Sequence, residues 1–179
     1  CASSAAAMAF PELQMDMVRP GIIIYGYYPD QITKQYLAER NIEIDLKPVM
    51  QFESQVVSIK HFKKGMSISY GRTWVCPEDT DIAIIPAGYA DGLLRRNSPG
   101  MEVTINGKPY PIRGRICMDQ CMVDIGQNNK DVKRWDKVIF FGPKEKGALK
   151  DANDVANETG TISYEVMTSL SKRVVRHIV

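Results

Sequence analysis

Only two histidines, His61 and His177, and four cysteines, Cys1, Cys76, Cys117 and Cys121, occur in 179 residues. There is no C-x-x-C, and one C-x3-C beside two distant histidines is a poor basis for zinc, so no metal is expected and cysteine redox chemistry is weakly supported. Cysteines so sparse and unpatterned fit a reducing compartment, and a cytoplasmic location is the expectation. No apolar run reaches the ~18 residues that a membrane span needs. The opening Cys-Ala-Ser-Ser-Ala-Ala-Ala has neither an initiator methionine nor a basic region. It does not read as a signal peptide, and the start reads as cut. Neither sign of charge dominates: 23 Lys and Arg stand against 21 Asp and Glu, a net charge of +2. The basic residues are scattered among acids rather than gathered in a stripe, which argues against a nucleic-acid platform and for a small-molecule or protein partner.

What is present is long enough to bury a sizeable core. Residues Ser3 to Phe10 are alanine-rich, with Ser3 or Ser4 as N-cap, and predict a short helix stopping at Pro11. Val18 to Gly26 is a compact apolar run, broken by Pro20 and Gly21, that reads as a strand buried on both faces of a parallel sheet. Gln31 to Arg40 has helical spacing, with Asp30 placed to cap it. Residues 1–41 therefore read as terminal helix, strand and helix elements of a truncated α/β domain.

From Ile42 the period shortens to two, and residues 42–179 form a second, mainly β region with C-terminal helices. Strands are predicted within Val49–Phe62, Met66–Tyr70, Asp81–Pro86, Val103–Tyr110 and Lys137–Gly142. Asn106-Gly107 supplies a type I′ hairpin turn, and Arg115–Met118 with Met122–Ile125 predicts a further pair. So many short, turn-punctuated strands imply a closed or nearly closed β-barrel of roughly 100 residues. Helices follow at Asp151–Thr159, capped by Asp151 or Asn153, and at Ser163–Lys172, where Tyr164, Val166, Met167 and Leu170 face inward.

Four groups of residues carry chemistry. Tyr70 ends an alternating run and is followed at once by Gly71 and Arg72. A free phenol has a pKa near ~10, so a tyrosine acting as a base needs a cation close by, and Gly71 permits a turn that pushes the ring outward. Ser4, Arg19, Gly21 and Tyr164 offer hydroxyls, a cation and free amides of the kind a phosphate needs. Ala87 to Arg96 is a glycine-rich loop after a buried strand, with Gly88 and Gly92 bracketing Tyr89 and Asp91. In Arg113 to Cys121, the Met118-Asp119 pair leaves a strand where backbone amides could meet a carboxylate. Each group alone reads equally as capping, turn or packing residues.

Taken in order, the runs CASSAAAMAFP, MVRPGIIIYG, MSISYGRTW, IIPAGYADGLLRR, IRGRICMDQCMVDIG and TISYEVMTSLSKRVVR resemble the C-terminal part of bacterial, pyridoxal-phosphate-dependent alanine racemases. They span nearly the whole sequence. The departures are Ser3 where asparagine is usual, a longer insert around Gln31–Arg40, and Val175 where proline is usual.

The resemblance implies a fold and a mechanism. The first 41 residues would close a (β/α)8 barrel, and the rest would be the family's C-terminal β-domain. The activity would interconvert L- and D-alanine for cell-wall peptidoglycan by a two-base mechanism, with Tyr70 as the catalytic base on the L face. Pyridoxal 5'-phosphate would be bound by Arg19 at the pyridine nitrogen and by Ser4, Gly21, Ile22 and Tyr164 at the phosphate. The backbone of Met118 would meet the substrate carboxylate, and Tyr89 would gate access. The partners would be alanine and a second copy of the chain, in a homodimer with shared active sites. The family's cofactor-binding lysine lies early in the barrel, outside these residues, so the chain alone is expected to be inactive and to bind cofactor weakly or not at all. The alternatives are a non-catalytic β-barrel dimerisation module and a racemase of serine or another small amino acid.

Overall fold

The computed structural model describes residues 1–178 and separates into two units, Cys1–Met50 and the residues from Gln51 onward. In the first unit, β1 (Ala2–Ser3) runs directly into α1 (Ser4–Ala9). The alanines favour this helix because they lose no side-chain entropy in it. Ser3 occupies the N-cap position but makes no side-chain cap bond. Strand β2 (Val18–Arg19) pairs in parallel with β1, setting Ser3 opposite Arg19. The apolar run beyond it is not the two-sided buried strand that its composition predicts. Pro20 has no amide with which to continue a ladder, and Ile22–Tyr25 winds instead into a 3-10 turn. That turn buries Ile22 and exposes Ile24. Gly26 ends it at φ 82, where a Cβ would stand 1.8 Å from the Lys47 carbonyl oxygen, so only glycine fits.

Helix α2 (Lys34–Ala38) is shorter than the predicted 31–40. Its cap is Thr33, not Asp30: the Tyr36 N–H donates to Thr33 Oγ1 at 3.1 Å. Leu37 packs with Met8 and Ala9 of α1, flanked by Tyr28, Ile42 and Ile44. Residues 42–50 thus lie with the first unit.

The period-two pattern of the second unit yields β3 (Phe52–Gln55), β4 (Ser58–Phe62), β5 (Ser67–Ile68), β6 (Trp74–Val75), β7 (Thr80–Ile85), β8 (Glu102–Ile105), β9 (Lys108–Pro111), β10 (Cys121–Gly126) and β11 (Lys137–Phe141). Two antiparallel sheets dominate, in the orders β3-β11-β8-β9 and β10-β7-β4. They meet along one bent length of backbone. Val56 N–H donates to the Asp136 carbonyl at 2.9 Å, beside the first sheet, and Val57 N–H to the Ile84 carbonyl at 3.0 Å, in the second. On the other side a single bridge joins Ile112 to Val123. The unit is therefore barrel-like, and no continuous ladder closes it among the described residues.

Asn106 and Gly107 turn the β8–β9 hairpin with φ of 51° and 75°, the two positive angles a type I′ turn requires. Arg115–Met118 is not a strand. Gly114 turns the chain at φ 66, and β10 pairs with β7, Cys121 opposite Ile85. Ile82, Ile85, Ile105, Val123 and Val138 are fully buried, and Phe52 stacks on Phe140 with ring centroids 4.9 Å apart. Helix α3 (Ala152–Thr159) starts in a reciprocal capping box between Asp151 and Asp154. Helix α4 (Ser163–Thr168) stops short of the predicted Lys172 and buries Val166 and Met167.

Candidate functional site

Each unit holds its own group of the residues singled out above. In the first unit the parallel pairing of β1 with β2 brings the start of α1 beside the Pro20-Gly21 bend. Ser4 is buried there, and its Oγ accepts the Gly21 N–H at 2.8 Å. Accepting that bond leaves the hydroxyl proton free to donate outward. The next amides, those of Ile22 and Ile23, open the 3-10 turn and have no carbonyl within it to bond. Arg19 stands exposed two residues before Gly21. The Ser4 hydroxyl proton, the turn-opening amides of Ile22 and Ile23 and the Arg19 guanidinium make a donor set suited to an anion.

In the second unit Tyr70 opens a 3-10 turn, Tyr70–Arg72, between the short paired strands β5 and β6. Its side chain projects outward, 71% exposed, while the backbone beneath is fixed. Ser69 and Gly71 take φ of 64° and 71°, and Ser69 Oγ donates to the Arg115 carbonyl at 2.5 Å. Ile68, just before the turn, is anchored in a cluster with Cys76, Ile82, Cys117 and Met122. Arg115 also stands at this turn: a methyl group on Gly71 would come within 3.2 Å of its guanidinium. Nothing in the sequence spacing brings residue 115 to residue 71.

The Tyr89 and Met118 loops lie edge to edge. Tyr89 N–H donates to the Cys117 carbonyl and Ala90 N–H to the Met118 carbonyl, both at 3.0 Å. Gly88 makes this approach possible, since a Cβ there would stand 2.3 Å from the Met118 oxygen. Tyr89 and Met118 themselves are 44% and 53% exposed. Behind them, Asp91 accepts the Gly88 N–H at 2.8 Å and Arg173 Nε at 2.7 Å. Burial alone would raise the Asp91 pKa, but these bonds hold it below the usual carboxylate range. Tyr164 is half-buried near the start of α4, and its neighbour Glu165 pairs with Arg96. Burial pushes the Cys121 thiol well up, which marks it as a packing residue rather than a nucleophile. An open pocket of about 390 Å³ is lined by Arg95, Arg96, Ser98 and Arg115. With Arg96 engaged by Glu165, Arg95 and Arg115 are the guanidinium groups at this pocket that suit a small carboxylate.

Sequence reasoning therefore found the exposed aromatic residues and the glycines under them, and missed Arg115 and Arg173. Among the described residues no cluster of His, Cys, Asp and Glu could hold a metal, and no helix is long and apolar enough to cross a membrane.

Comparison with known proteins joins these observations. Residues 49–178 match the family model "Alanine racemase, C-terminal domain", and residues 1–29 match "Alanine racemase, N-terminal domain". An alanine racemase of Treponema denticola is 48% identical over 98% of this chain and 44% of its own length. One of Clostridium novyi is 47% identical over 97% of this chain and 43% of its own. Among solved structures, the alanine racemase of Clostridium difficile 630 in complex with cycloserine has a TM-score of 0.82 at 40% identity, over 97% of this chain and 43% of that one. The Bacillus anthracis alanine racemase with bound L-Ala-P has a TM-score of 0.83 at 36% identity, over 97% and 42%. The chain thus spans less than half the length of the relatives it matches.

Proposed function

Because the chain belongs to the alanine racemase family, we propose that it forms the C-terminal part of an isomerase that interconverts L- and D-alanine, with Tyr70 as the base on the L face. The observation that carries this reading is the mounting of Tyr70: a phenol 71% exposed on a turn locked by Ser69 and flanked by Arg115. A base held outward on a locked turn is what proton abstraction from a substrate outside the domain requires.

Pyridoxal phosphate, when bound, would supply the electron sink that makes the alanine α-proton acidic. The residues present fit that group. Ser4 and Ile22 would hold its phosphate through the hydroxyl proton and a turn-opening amide, Gly21 would keep the Ser4 hydroxyl aligned by donating to its oxygen, and Tyr164 would take the remaining phosphate role that the family resemblance implies. Arg19 would meet the pyridine nitrogen and, being always protonated, would give up no proton there, which would limit side reactions. The Met118 amide takes the substrate carboxylate, Tyr89 gates access, and Tyr70 Oη moves the α-proton. The site is shared across a homodimer in the cytoplasm, and its D-alanine product serves peptidoglycan synthesis. The family's second base, a lysine, belongs to a part of its length that these residues do not cover, so the chain alone is inactive.

The test is a racemisation assay, by loss of optical activity, of the chain alone and of the full-length enzyme, with L-alanine and L-serine as substrates. Activity is expected only in the full-length enzyme, with alanine preferred. A full-length enzyme that racemises neither would overturn the reading, and a preference for serine would reassign the substrate.

A further inference from the structure

We propose that Arg173 is the positioning residue that holds the Tyr89 and Met118 loops in register for substrate, an inference that rests on the function proposed above. The two loops are separate in sequence, and neither lies in a strand. The backbone bonds from Tyr89 and Ala90 to Cys117 and Met118 join them along one line. A single line of contact fixes their spacing but leaves them free to hinge about it. Arg173 ties them a second time. Its Nε donates to Asp91 Oδ1 at 2.7 Å and its Nη2 to Asp119 Oδ1 at 2.6 Å. One planar group thus spans the residue two after Tyr89 and the residue one after Met118.

The surroundings fit this role. Tyr89 and Met118 are exposed, so little packing of their own fixes them and their placement is decided from behind. The chain following α4 delivers Arg173 to the spot: Ser169 Oγ donates to the Gly92 carbonyl at 2.9 Å, and Ser171 N–H to the Asp91 carbonyl at 3.1 Å. Asp91 has only 15% of its side chain exposed, and its other oxygen is already engaged by Gly88. Without the guanidinium, the carboxylates of Asp91 and Asp119 would face each other as like charges and push the loops apart. A lysine could not replace the geometry, because its single ammonium on a flexible stem lacks the planar fork that reaches both carboxylates.

The test compares full-length wild type with Arg173→Ala, Arg173→Lys and Asp119→Asn. For Arg173→Ala, the KM for alanine should rise roughly ten-fold while kcat stays within about two-fold, since Tyr70 stands on a different turn. Arg173→Lys should recover part of the loss, and millimolar guanidinium should lower the KM of Arg173→Ala without affecting wild type. Should Arg173→Ala fail to fold, Asp119→Asn decides: it breaks one of the two bonds at an exposed position and should raise KM a few-fold with an unchanged melting temperature. The inference falls if KM stays at the wild-type value in the folded variants. It falls equally if kcat drops along with the melting temperature and guanidinium rescues nothing, which is the behaviour of a merely structural ion pair. Loss of racemisation in wild type would instead refute the function, whereas an active wild type with unmoved KM refutes this inference alone.

Discussion

At the scale of single residues, the chemistry rests on a few side chains whose backbones are unusually constrained. Tyr70→Phe removes a hydroxyl from a ring that is already exposed, so in the full-length enzyme it should leave the melting temperature nearly unchanged. Racemisation should fall by at least ~100-fold, the ordinary loss when a general base is removed. Exchange of the α-proton with solvent should suffer more from L-alanine than from D-alanine, and equal loss from both would show that Tyr70 is not the base of one face. Gly88→Ala is the opposite kind of change. Its new methyl would stand 2.3 Å from the Met118 carbonyl oxygen and 2.4 Å from that of Cys117, so the two backbone bonds between the loops must give way. A stability loss of about 1–3 kcal/mol is expected by thermal melting, with a higher KM for alanine. Tyr70 and Gly88 were legible in the sequence because a tyrosine beside glycine, or between glycines, is a local signal. Arg115 and Arg173 were not. Each is one basic residue among several in its own run, and what distinguishes it is a partner tens of residues away.

At the scale of elements, legibility followed local chemistry. The Asn106-Gly107 turn and the Asp151 cap were readable because each is set by residues adjacent in sequence. The strand expected across Ile22–Ile24 was not, because an apolar run does not reveal that Pro20 denies it a ladder and Gly26 forces a left-handed exit. The pairing of β10 was misplaced for a related reason: alternation shows that a strand exists and not which neighbour it takes. The capping box of α3 also sets a pH dependence. Burial alone would raise the Asp154 carboxyl, but Lys144 and the Asp151 N–H overcome this and hold it below the usual range. A depressed folded pKa means that the contribution is complete above the unfolded value of about 4 and is lost as pH falls through the folded one. The first turn of α3 should therefore be intact at neutral pH and fray only in acid. Amide exchange along residues 152–156 at pH 3 and pH 6 would show this, and Asp154→Asn should remove most of the difference.

At the scale of the molecule, the second unit has its own core: the buried apolar residues of its two sheets and the Phe52–Phe140 stack all lie after Met50. Residues 51–179 expressed alone should melt cooperatively, with coincident transitions in far- and near-ultraviolet circular dichroism. A gradual or split transition would show that the first fifty residues are needed for its folding. The two sheets share the bent backbone through Val56 and Val57, which makes that length a crease in one folded surface rather than a joint between two. Where the chain tolerates a cut follows from this. A cut between Asn106 and Gly107 falls in a hairpin turn and leaves every ladder hydrogen-bonded. A cut at Val56-Val57 loosens an edge strand of both sheets in a single break, so protease cleavage there should unfold the unit while cleavage at the hairpin should not.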